Sequence, residues 1–298
     1  NSNMYSDVSG LGYLYQYHIK TAYNCCSPGN FKNSYVSLCS LRQNIYLGAR
    51  CLDIEVYSVN NEPVIATSTI QKSLNSSLYT KETFNYILFK DVLLTIRYDA
   101  LDSATATVNN YTDPLFLHIR LKTDDIYTIN KIAEYINGNS TNTGILGSNY
   151  LLGSGFGGNE SINQYLNQYY TLNGATSPSS IPIALCGKCV IMVEYNNLNK
   201  NNLQESDLWK LVNIYTGYNQ DQNTGDEMFR IYRYNEIEEM TEDEESSLTI
   251  YNKQKFTMIL PTLQANNNNY DSLKVLELGC QFVAMNFQRY DENLDSYF

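Results

Sequence analysis

The stretch Gly48-Ala-Arg-Cys-Leu-Asp-Ile-Glu-Val-Tyr57, with its continuation Pro63-Val-Ile-Ala-Thr-Ser-Thr69, decides the fold. Asp53 and Glu55 alternate at a period of two with apolar neighbours, which predicts a buried strand. Two carboxylates with that spacing point to the same side of a strand, where they repel each other unless a cation or protons neutralise them. The pair indicates either a site for a hard metal ion or an exposed strand face with solvated acids.

A turn and a second strand follow this first strand. Asn60-Asn61-Glu62-Pro63 has the composition of a turn, and Pro63-Val-Ile-Ala66 begins a second apolar strand. In this order the residues resemble the X half of the eukaryotic phosphoinositide-specific phospholipase C barrel. That family has a Gly-x-Arg-Cys-Leu-Glu-Leu-Asp strand, a turn that ends in Pro, and a strand that carries Tyr-His-Gly.

Further motifs extend the resemblance over roughly residues 14 to 298. The segment 86–97 matches the family's Ile-Leu-Phe-x-Asp-Val-Leu helix. Asn269-Tyr270 and Leu278-Gly-Cys-Gln-Phe-Val-Ala-Met-Asn-Phe-Gln288 match the family's Asn-Tyr and Gly-Cys-Gln-x-Val-Ala-Leu-Asn-Phe-Gln, the closing strand of the Y half. The resemblance implies an α/β fold, a (β/α)8 TIM-type barrel with loop insertions and with its active face at the carboxyl ends of the strands.

One domain with four parts is expected: an amino-terminal arm at 1–13, an X-like half-barrel at 14–195, a linker at 196–226 and a Y-like half-barrel at 227–298. Apolar periodicity within these parts predicts strands at 15–22, 114–120, 228–236 and 256–261, a turn and strand at 181–194, and helices at 37–46, 86–97 and 124–136. The acidic run at 236–245 is typical of an exposed helix face or a disordered loop.

Charge and composition exclude several classes of partner. The 298 residues carry a net charge of −11, and the 27 Tyr outnumber the 20 Lys plus Arg. An acidic surface argues against nucleic acid and against direct binding to anionic lipid. The chain lacks a stretch that is apolar for long enough to span a bilayer and lacks a signal-peptide pattern. A cytoplasmic location is expected, or one within a virus particle, since heavy Asn and Tyr usage suits an AT-rich genome such as that of a protist or a large DNA virus.

The seven cysteines indicate a reducing compartment, because most lie among apolar residues and their number is odd. Cys186-Gly-Lys-Cys189 has CxxC spacing, which leaves open a zinc or redox role. The pattern also suits two small core residues at the start of a strand.

The resemblance implies a calcium site, with four ligand positions in the family. Three of them are Asn24, Asp53 and Glu55 here, with Asp and Glu exchanged relative to the family. The fourth, a Glu in the family, is Arg120. Because a guanidinium close to two carboxylates would pair with them, we expect an internal Arg120–Asp53/Glu55 salt bridge and no metal cofactor.

The family's two catalytic histidines also have no counterpart in this sequence. The first falls at Tyr23, and the second falls at Thr67, or at Ala66 if the gap moves by one. A tyrosine ionises only near pH ~10, and a threonine does not usefully ionise, so neither replaces imidazole. His118 shares a strand face with Arg120, which leaves two roles open: a lone general base, or a polar residue hydrogen-bonded inside the barrel. His18 is expected to be a core or rim histidine.

The family's substrate-binding positions differ as well. Two lysines that hold substrate phosphates in the family align with Met192 and Glu194. An Arg and a Tyr that contact the inositol headgroup align with Met258 and Leu260.

Three hypotheses follow for the function. The first is a pseudoenzyme: a phospholipase-C-like barrel kept as a structural or interaction module with protein partners, such as a component of a virion. The second is an active phosphoric diester hydrolase with catalytic groups rearranged around His118, which would need calcium. The third is a module that binds a phosphorylated headgroup without turnover, and the missing lysines and Arg count against it.

Overall fold

A parallel sheet of eight strands, curled into a nearly closed barrel, forms the centre of the protein. The computed structural model describes residues 14–70, 79–158, 185–196, 198–217, 229–264 and 267–298. In the sheet the strands follow the order β7-β6-β5-β2-β1-β10-β9-β8, and β7 contacts β8. They are β1 (Ile19–Ala22), β2 (Cys51–Val59), β5 (Leu115–Lys122), β6 (Cys189–Tyr195), β7 (Ile214–Gly217), β8 (Phe229–Arg233), β9 (Phe256–Leu260) and β10 (Phe282–Met285). The expected (β/α)8 barrel is confirmed.

A hairpin projects from the barrel wall at β2. The short strand β3 (Glu62–Ala66) pairs antiparallel with β2, and β4 (Ile87–Leu88) pairs with β3. Asn60 and Asn61 join β2 to β3 with φ of 53° and 59°. Asparagine tolerates this left-handed conformation better than most residues, and two such residues in succession suit the twist of a hairpin. The turn predicted at this position is therefore confirmed.

Helices pack on the outside of the barrel. Ser37 caps the first helix, which is followed by Gly48 at a φ of 90°, and Asp125 caps the third. The described helices are α1 (Leu38–Tyr46), α2 (Phe89–Ile96), α3 (Ile126–Asn137), α4 (Gly147–Tyr150), α5 (Lys200–Glu205), α6 (Tyr234–Glu238), α7 (Glu242–Asn252), α8 (Ser272–Glu277) and α9 (Glu292–Tyr297). Among the described residues, none of the helices is long and apolar enough to cross a bilayer.

Among the described residues, the two larger of three apolar clusters lie on opposite sides of the strands, because alternate residues of each strand face opposite sides. One cluster lies between the strands and the helices. The other fills the interior of the barrel, where the Phe282 ring lies 5.2 to 5.9 Å from those of Phe116, Phe229 and Phe256. Polar residues replace apolar ones further along the same inward faces, toward the carboxyl ends of the strands. A packed floor thus supports a charged mouth.

Several predicted elements differ from the observed ones. Residues 14–16 form a 3-10 turn, so the first strand begins at Ile19 and not at residue 15. The helix predicted at 86–97 starts after the β4 pair, and a π-helical turn extends it to Leu101. The strand predicted at 228–236 ends at Arg233, because Glu236 accepts a hydrogen bond from the Arg233 amide and starts α6.

The remaining regions are as follows. The predicted linker at 196–226 contains α5 and β7 in its described part, and the amino-terminal arm lies outside the described residues. The acidic run contributes exposed faces to α6 and α7, as one of the two interpretations predicted.

Candidate functional site

The registers of three adjacent strands bring the charged residues together. In the β2–β5 ladder Asp53 lies opposite His118, and Glu55 lies opposite Arg120. In the β5–β6 ladder Arg120 lies opposite Glu194. Because residues in register on parallel strands point to the same side, all five side chains project into the barrel near the carboxyl ends of the strands.

Arg120 is the centre of this mouth. Its Nε donates to Asp53 Oδ1 (2.8 Å), its Nη1 to Glu55 Oε1 (2.6 Å), and its Nη2 to both Asn24 Oδ1 (2.7 Å) and Asp53 Oδ2 (2.8 Å). The guanidinium is 1% exposed, and Asp53 and Glu55 are equally buried. Asn24, Asp53, Glu55, His118 and Arg120 are called the Arg120 cluster below. The internal ion pair that the sequence predicts is present.

Other donors surround the two carboxylates, whose combined charge exceeds that of Arg120 by one. Asp53 accepts from the Asn24 amide (2.9 Å) and from His118 Nδ1 (2.8 Å). Glu55 Oε2 accepts from the Tyr57 hydroxyl (2.6 Å) and from the Ser68 amide (3.0 Å). These four dipolar donors stabilise the extra negative charge, because charge-assisted hydrogen bonds in a dry site are strong.

The cluster shifts the pKa of its members in opposite directions. Burial alone would raise the pKa of Asp53, but Arg120 and His118 outweigh burial and hold it well below its usual range. Burial alone would lower the pKa of Arg120, but Asp53, Tyr23 and Glu55 together outweigh burial and raise it. Burial and the neighbouring Glu55 raise the pKa of Tyr57. At neutral pH Asp53 is therefore ionised and Arg120 is charged, and Tyr57, which lies beside the cluster, is neutral.

Acid should weaken the fold through Asp53. In the unfolded chain an aspartate takes up its proton near pH ~3.9, whereas folded Asp53 stays ionised to lower pH. Its contribution is therefore complete above about pH 4 and is lost as the pH falls from there toward the depressed folded pKa. Urea unfolding between about pH 5 and pH 3 should show this loss, with a limiting slope of about 1.4 kcal/mol per pH unit for this one group. An Asp53→Asn variant with an unchanged slope would contradict the prediction.

The donor set of the Arg120 cluster does not fit a calcium ion. Calcium takes six to eight oxygen ligands at about 2.3–2.6 Å. The oxygens of Asn24, Asp53 and Glu55 that face the centre already accept hydrogen bonds from the Arg120 guanidinium at 2.6 to 2.8 Å. The permanent positive charge of the Arg120 guanidinium would repel a divalent cation at this position. The cluster therefore offers no calcium ion that could take part in a reaction.

The two positions aligned with the family's catalytic histidines are both engaged in other contacts. Tyr23 is buried, and its ring lies between two guanidinium groups, with centroid distances of 4.7 Å to Arg120 and 5.7 Å to Arg233. Its hydroxyl lies 3.1 Å from Arg233 Nη1. The Thr67 hydroxyl donates to the carbonyl of Phe31 (2.8 Å), and Ala66 is a buried end residue of β3.

Arg233 is a member of the mouth that the sequence analysis missed. It ends β8, is 8% exposed, and also donates from Nη1 to the Pro261 carbonyl (3.0 Å). Its only signal in the sequence was an arginine within the strand predicted at 228–236, in the same alternation as Ile231. That signal does not reveal a contact with Tyr23, which lies 210 residues away in the chain.

His118 is completely buried, and its hydrogen bond to Asp53 defines its tautomer. Because ionised Asp53 can only accept, His118 Nδ1 carries the proton. His118 Nε2 lies 3.9 Å from Glu194 Oε2, and neither atom has a hydrogen-bond partner among the described residues. The placement agrees with a polar residue hydrogen-bonded inside the barrel. The free Nε2 also leaves room for the role of a base.

The other predicted positions lie as follows. Met192, Met258 and Leu260 are buried members of the interior cluster. Met192 is in register with His118 and Leu260 with Arg233, so apolar side chains also line the barrel beside the charged mouth. His18 is an exposed rim residue, and its Nδ1 donates to the Cys280 carbonyl (2.9 Å). Cys186 and Cys189 are not joined by a disulfide; Cys189 is the buried first residue of β6.

Comparisons with known proteins agree with this architecture. Residues 207–297 match the protein family described as phosphatidylinositol-specific phospholipase C, Y domain. This match begins inside the segment 196–226. No curated protein sequence is similar enough to match the chain.

Solved structures with the same fold are distant in sequence. PLC21 from S. officinalis superimposes with a TM-score of 0.65 at 18% identity, and PLC21 from L. pealei with 0.61 at 17%. Each alignment covers 96% of this chain and 35% of the other, so the chain spans about a third of their length. The calcium-dependent phosphoinositol-specific phospholipase C from a Gram-negative bacterium, Pseudomonas sp, superimposes with 0.52 at 8% identity, over 96% of this chain and 94% of that one.

At these identities the superpositions establish the fold alone. Residues 207–297 are similar to the Y domain of phosphatidylinositol-specific phospholipase C, and the described residues have the barrel fold of the superimposed structures.

Proposed function

We propose that this chain is a phospholipase-C-type barrel without phosphodiesterase activity, which serves as an interaction module in a larger protein assembly. One observation carries the proposal: the Arg120 guanidinium donates to Asn24, Asp53 and Glu55 at once. A resident cation fills the position from which a metal would have to activate a hydroxyl and neutralise a phosphate.

The two positions aligned with the family's catalytic histidines do not supply a general base and a general acid. Cleavage of a phosphodiester with an internal hydroxyl needs one group to take a proton and another to give one to the leaving oxygen. The Tyr23 hydroxyl accepts a hydrogen bond from the cationic Arg233, and the Thr67 hydroxyl donates a hydrogen bond to the Phe31 carbonyl. Neither group titrates near neutral pH in its ordinary state, so neither supplies the missing step.

A direct assay tests the proposal. Mixed micelles that contain radiolabelled phosphatidylinositol, incubated with the full chain, should release inositol phosphate at the same rate as micelles without protein. Adding calcium should make no difference, because the acceptors that would bind it already bind Arg120. An active phospholipase C run in parallel confirms that the substrate is competent. Calcium-dependent release that rises in proportion to protein concentration would overturn the proposal.

The alternative is an active phosphoric diester hydrolase built around His118, and the Asp53–His118 hydrogen bond favours it. A carboxylate on Nδ1 orients an imidazole so that Nε2 can act as a base. Full burial of His118 counts against access of a substrate hydroxyl. If the assay does detect turnover, His118→Gln should abolish it. An unaffected rate in that variant would eliminate this alternative.

A role in an assembly rests on the surface. Tyr46, Tyr127 and Tyr290 are 69%, 71% and 76% exposed. Exposed tyrosines supply large and rigid contact area, and aromatic residues are enriched where proteins meet. The expected partners are therefore proteins, within the cytoplasm or a virus particle. Light scattering coupled to size exclusion, on material isolated without denaturation, should show a mass above the 34.1 kDa of one chain.

A further inference from the structure

A cleft at the other end of the barrel is separate from the Arg120 cluster. It has a volume of about 620 Å³ and lies where β1, β2 and β5 begin, beside Ile19, Arg50 and Pro114. That volume falls within the usual range for small-molecule sites. In barrels of this class the active site lies at the carboxyl ends of the strands and rarely at the amino ends. The fold alone therefore assigns no role to this cleft.

Lys20 is the cation of this cleft that lacks an acidic partner. Its Nζ lies 4.5 Å from the centroid of the Phe298 ring. Within the described part of the chain, no carboxylate pairs with Nζ and no acceptor takes a hydrogen bond from it. Burial alone lowers the pKa of Lys20. The Lys20 ammonium is half-buried, has three N–H donors and, among the described residues, lies against the Phe298 ring without an acidic partner. It therefore favours an anion as its ligand.

The remaining charges in the cleft do not remove this preference. Arg50, in the floor, donates to the carbonyls of Ala100, Asp113 and Pro114, which leaves its positive charge in place. Asp113 is the one acidic residue of the described lining, and its charge acts on Arg50. Among the side chains of the described lining, Lys20 and Arg50 are cationic and Asp113 is acidic, in a chain whose net charge is −11.

Flat apolar surface lies next to Lys20. The Phe298 and Tyr46 rings are 45% and 69% exposed, and the Phe116 side chain forms part of the floor. A ring placed against Phe298 would continue the apolar wall, while an acidic group on that ring would reach the ammonium. An aromatic surface beside a cation suits a ligand that is apolar at one end and anionic at the other.

We propose that this amino-terminal cleft binds a small organic anion, with a carboxylate or phosphate group at Lys20 and a flat apolar body against Phe298. Both head groups share the chemistry that an ammonium recognises, namely a compact anion that accepts hydrogen bonds. The cleft lies at the opposite end of the barrel from the Arg120 cluster, so binding there is separate from the chemistry of that cluster. It shares Tyr46 with the exposed tyrosines that the proposed function assigns to protein contacts.

Calorimetric titration of the full chain tests the proposal with four probes. Phenyl phosphate or benzoate should bind saturably with a Kd on the order of 1 mM or tighter. The better of the two identifies the head group. Inorganic phosphate lacks the ring, and benzyl alcohol lacks the charge. Each should bind at least about tenfold more weakly than the better aromatic anion, because each makes only the ionic or only the apolar contact.

Two matched variants locate the site. Lys20→Met keeps the apolar stem and should weaken binding of the better probe by about tenfold or more. Lys255→Met is the control, because Lys255 also lies over a ring, 5.1 Å from the centroid of Tyr251, but does not line the cleft. It should bind as the unmodified chain does. Amide shifts in NMR should change at Gly48 and Val108, which line the cleft, and not at Arg120.

Three results would overturn the proposal: no saturable binding of either aromatic anion, equal weakening in both lysine variants, or shifts confined to the Arg120 cluster. If inorganic phosphate binds as tightly as phenyl phosphate, the apolar half of the proposal is wrong.

Discussion

Replacing Arg120 with methionine should lower the free energy of unfolding by about 3–5 kcal/mol. The change leaves two carboxylates, Asp53 and Glu55, buried without their cation, and a pair of uncompensated charges in a dry site is costly. Methionine fills much of the volume of the arginine stem, so the cost is mainly electrostatic. Urea unfolding followed by circular dichroism at neutral pH measures the loss.

A triple variant separates charge from packing. When Arg120→Met is combined with Asp53→Asn and Glu55→Gln, none of these three buried charges remains, and a large part of the lost stability should return. Replacing both partners of a buried pair is commonly far less harmful than removing one of them. If the triple variant is as unstable as the single one, packing is the cause and the electrostatic account is wrong.

Replacing Arg120 with glutamate should convert the cluster into a site for calcium. The variant places a third carboxylate beside Asp53 and Glu55, next to the amide oxygen of Asn24. Three acids in one buried site repel each other strongly, so the variant should be very unstable without a divalent cation. Calcium binds the folded form, and at about 100 times its Kd it should restore about 2.7 kcal/mol. Thermal unfolding over a calcium series measures the effect.

Two controls accompany the glutamate variant. The unmodified chain should gain no comparable stability from calcium, because its acceptors are occupied by a guanidinium. Arg120→Gln, which adds a single neutral oxygen, is the milder substitution if the glutamate variant does not fold, and it should gain a smaller stabilisation. The account of the mouth fails if calcium stabilises the unmodified chain as much as the variants, or stabilises none of them.

Local patterns in the sequence predicted much of the barrel. Alternation in 51–57 identified the strand that carries both acids, and the motif at 278–288 identified the closing strand. The pairing of Arg120 with Asp53 and Glu55 was also predictable. Opposite charges on neighbouring strands of a recognised scaffold leave few other arrangements, and the register confirmed the pairing.

Other features depended on neighbours that local patterns do not contain. The strand predicted to reach 236 stops at Arg233, because the side chain of Glu236 caps a helix there. β4 and the π-helical turn flank α2 although their residues suit a continuous helix. Helix and strand propensities are typically a few tenths of a kcal/mol per residue. In both places a helix cap or a tertiary contact is stronger than this local preference.

The sequence by itself determined the barrel fold, the strand that carries Asp53 and Glu55, the closing strand and the identity of the cation among the acids. Each of these features depends on the spacing of residues along one strand or on a motif of a few residues. Both can be identified in the sequence without knowledge of the tertiary structure. Only the tertiary structure decided that His118 Nδ1 bonds to Asp53, that Arg233 reaches Tyr23, and that Lys20 lies beside an aromatic cleft. These contacts join residues 65 to 278 positions apart, and the order and register of the strands in the sheet, not local preference, bring them together.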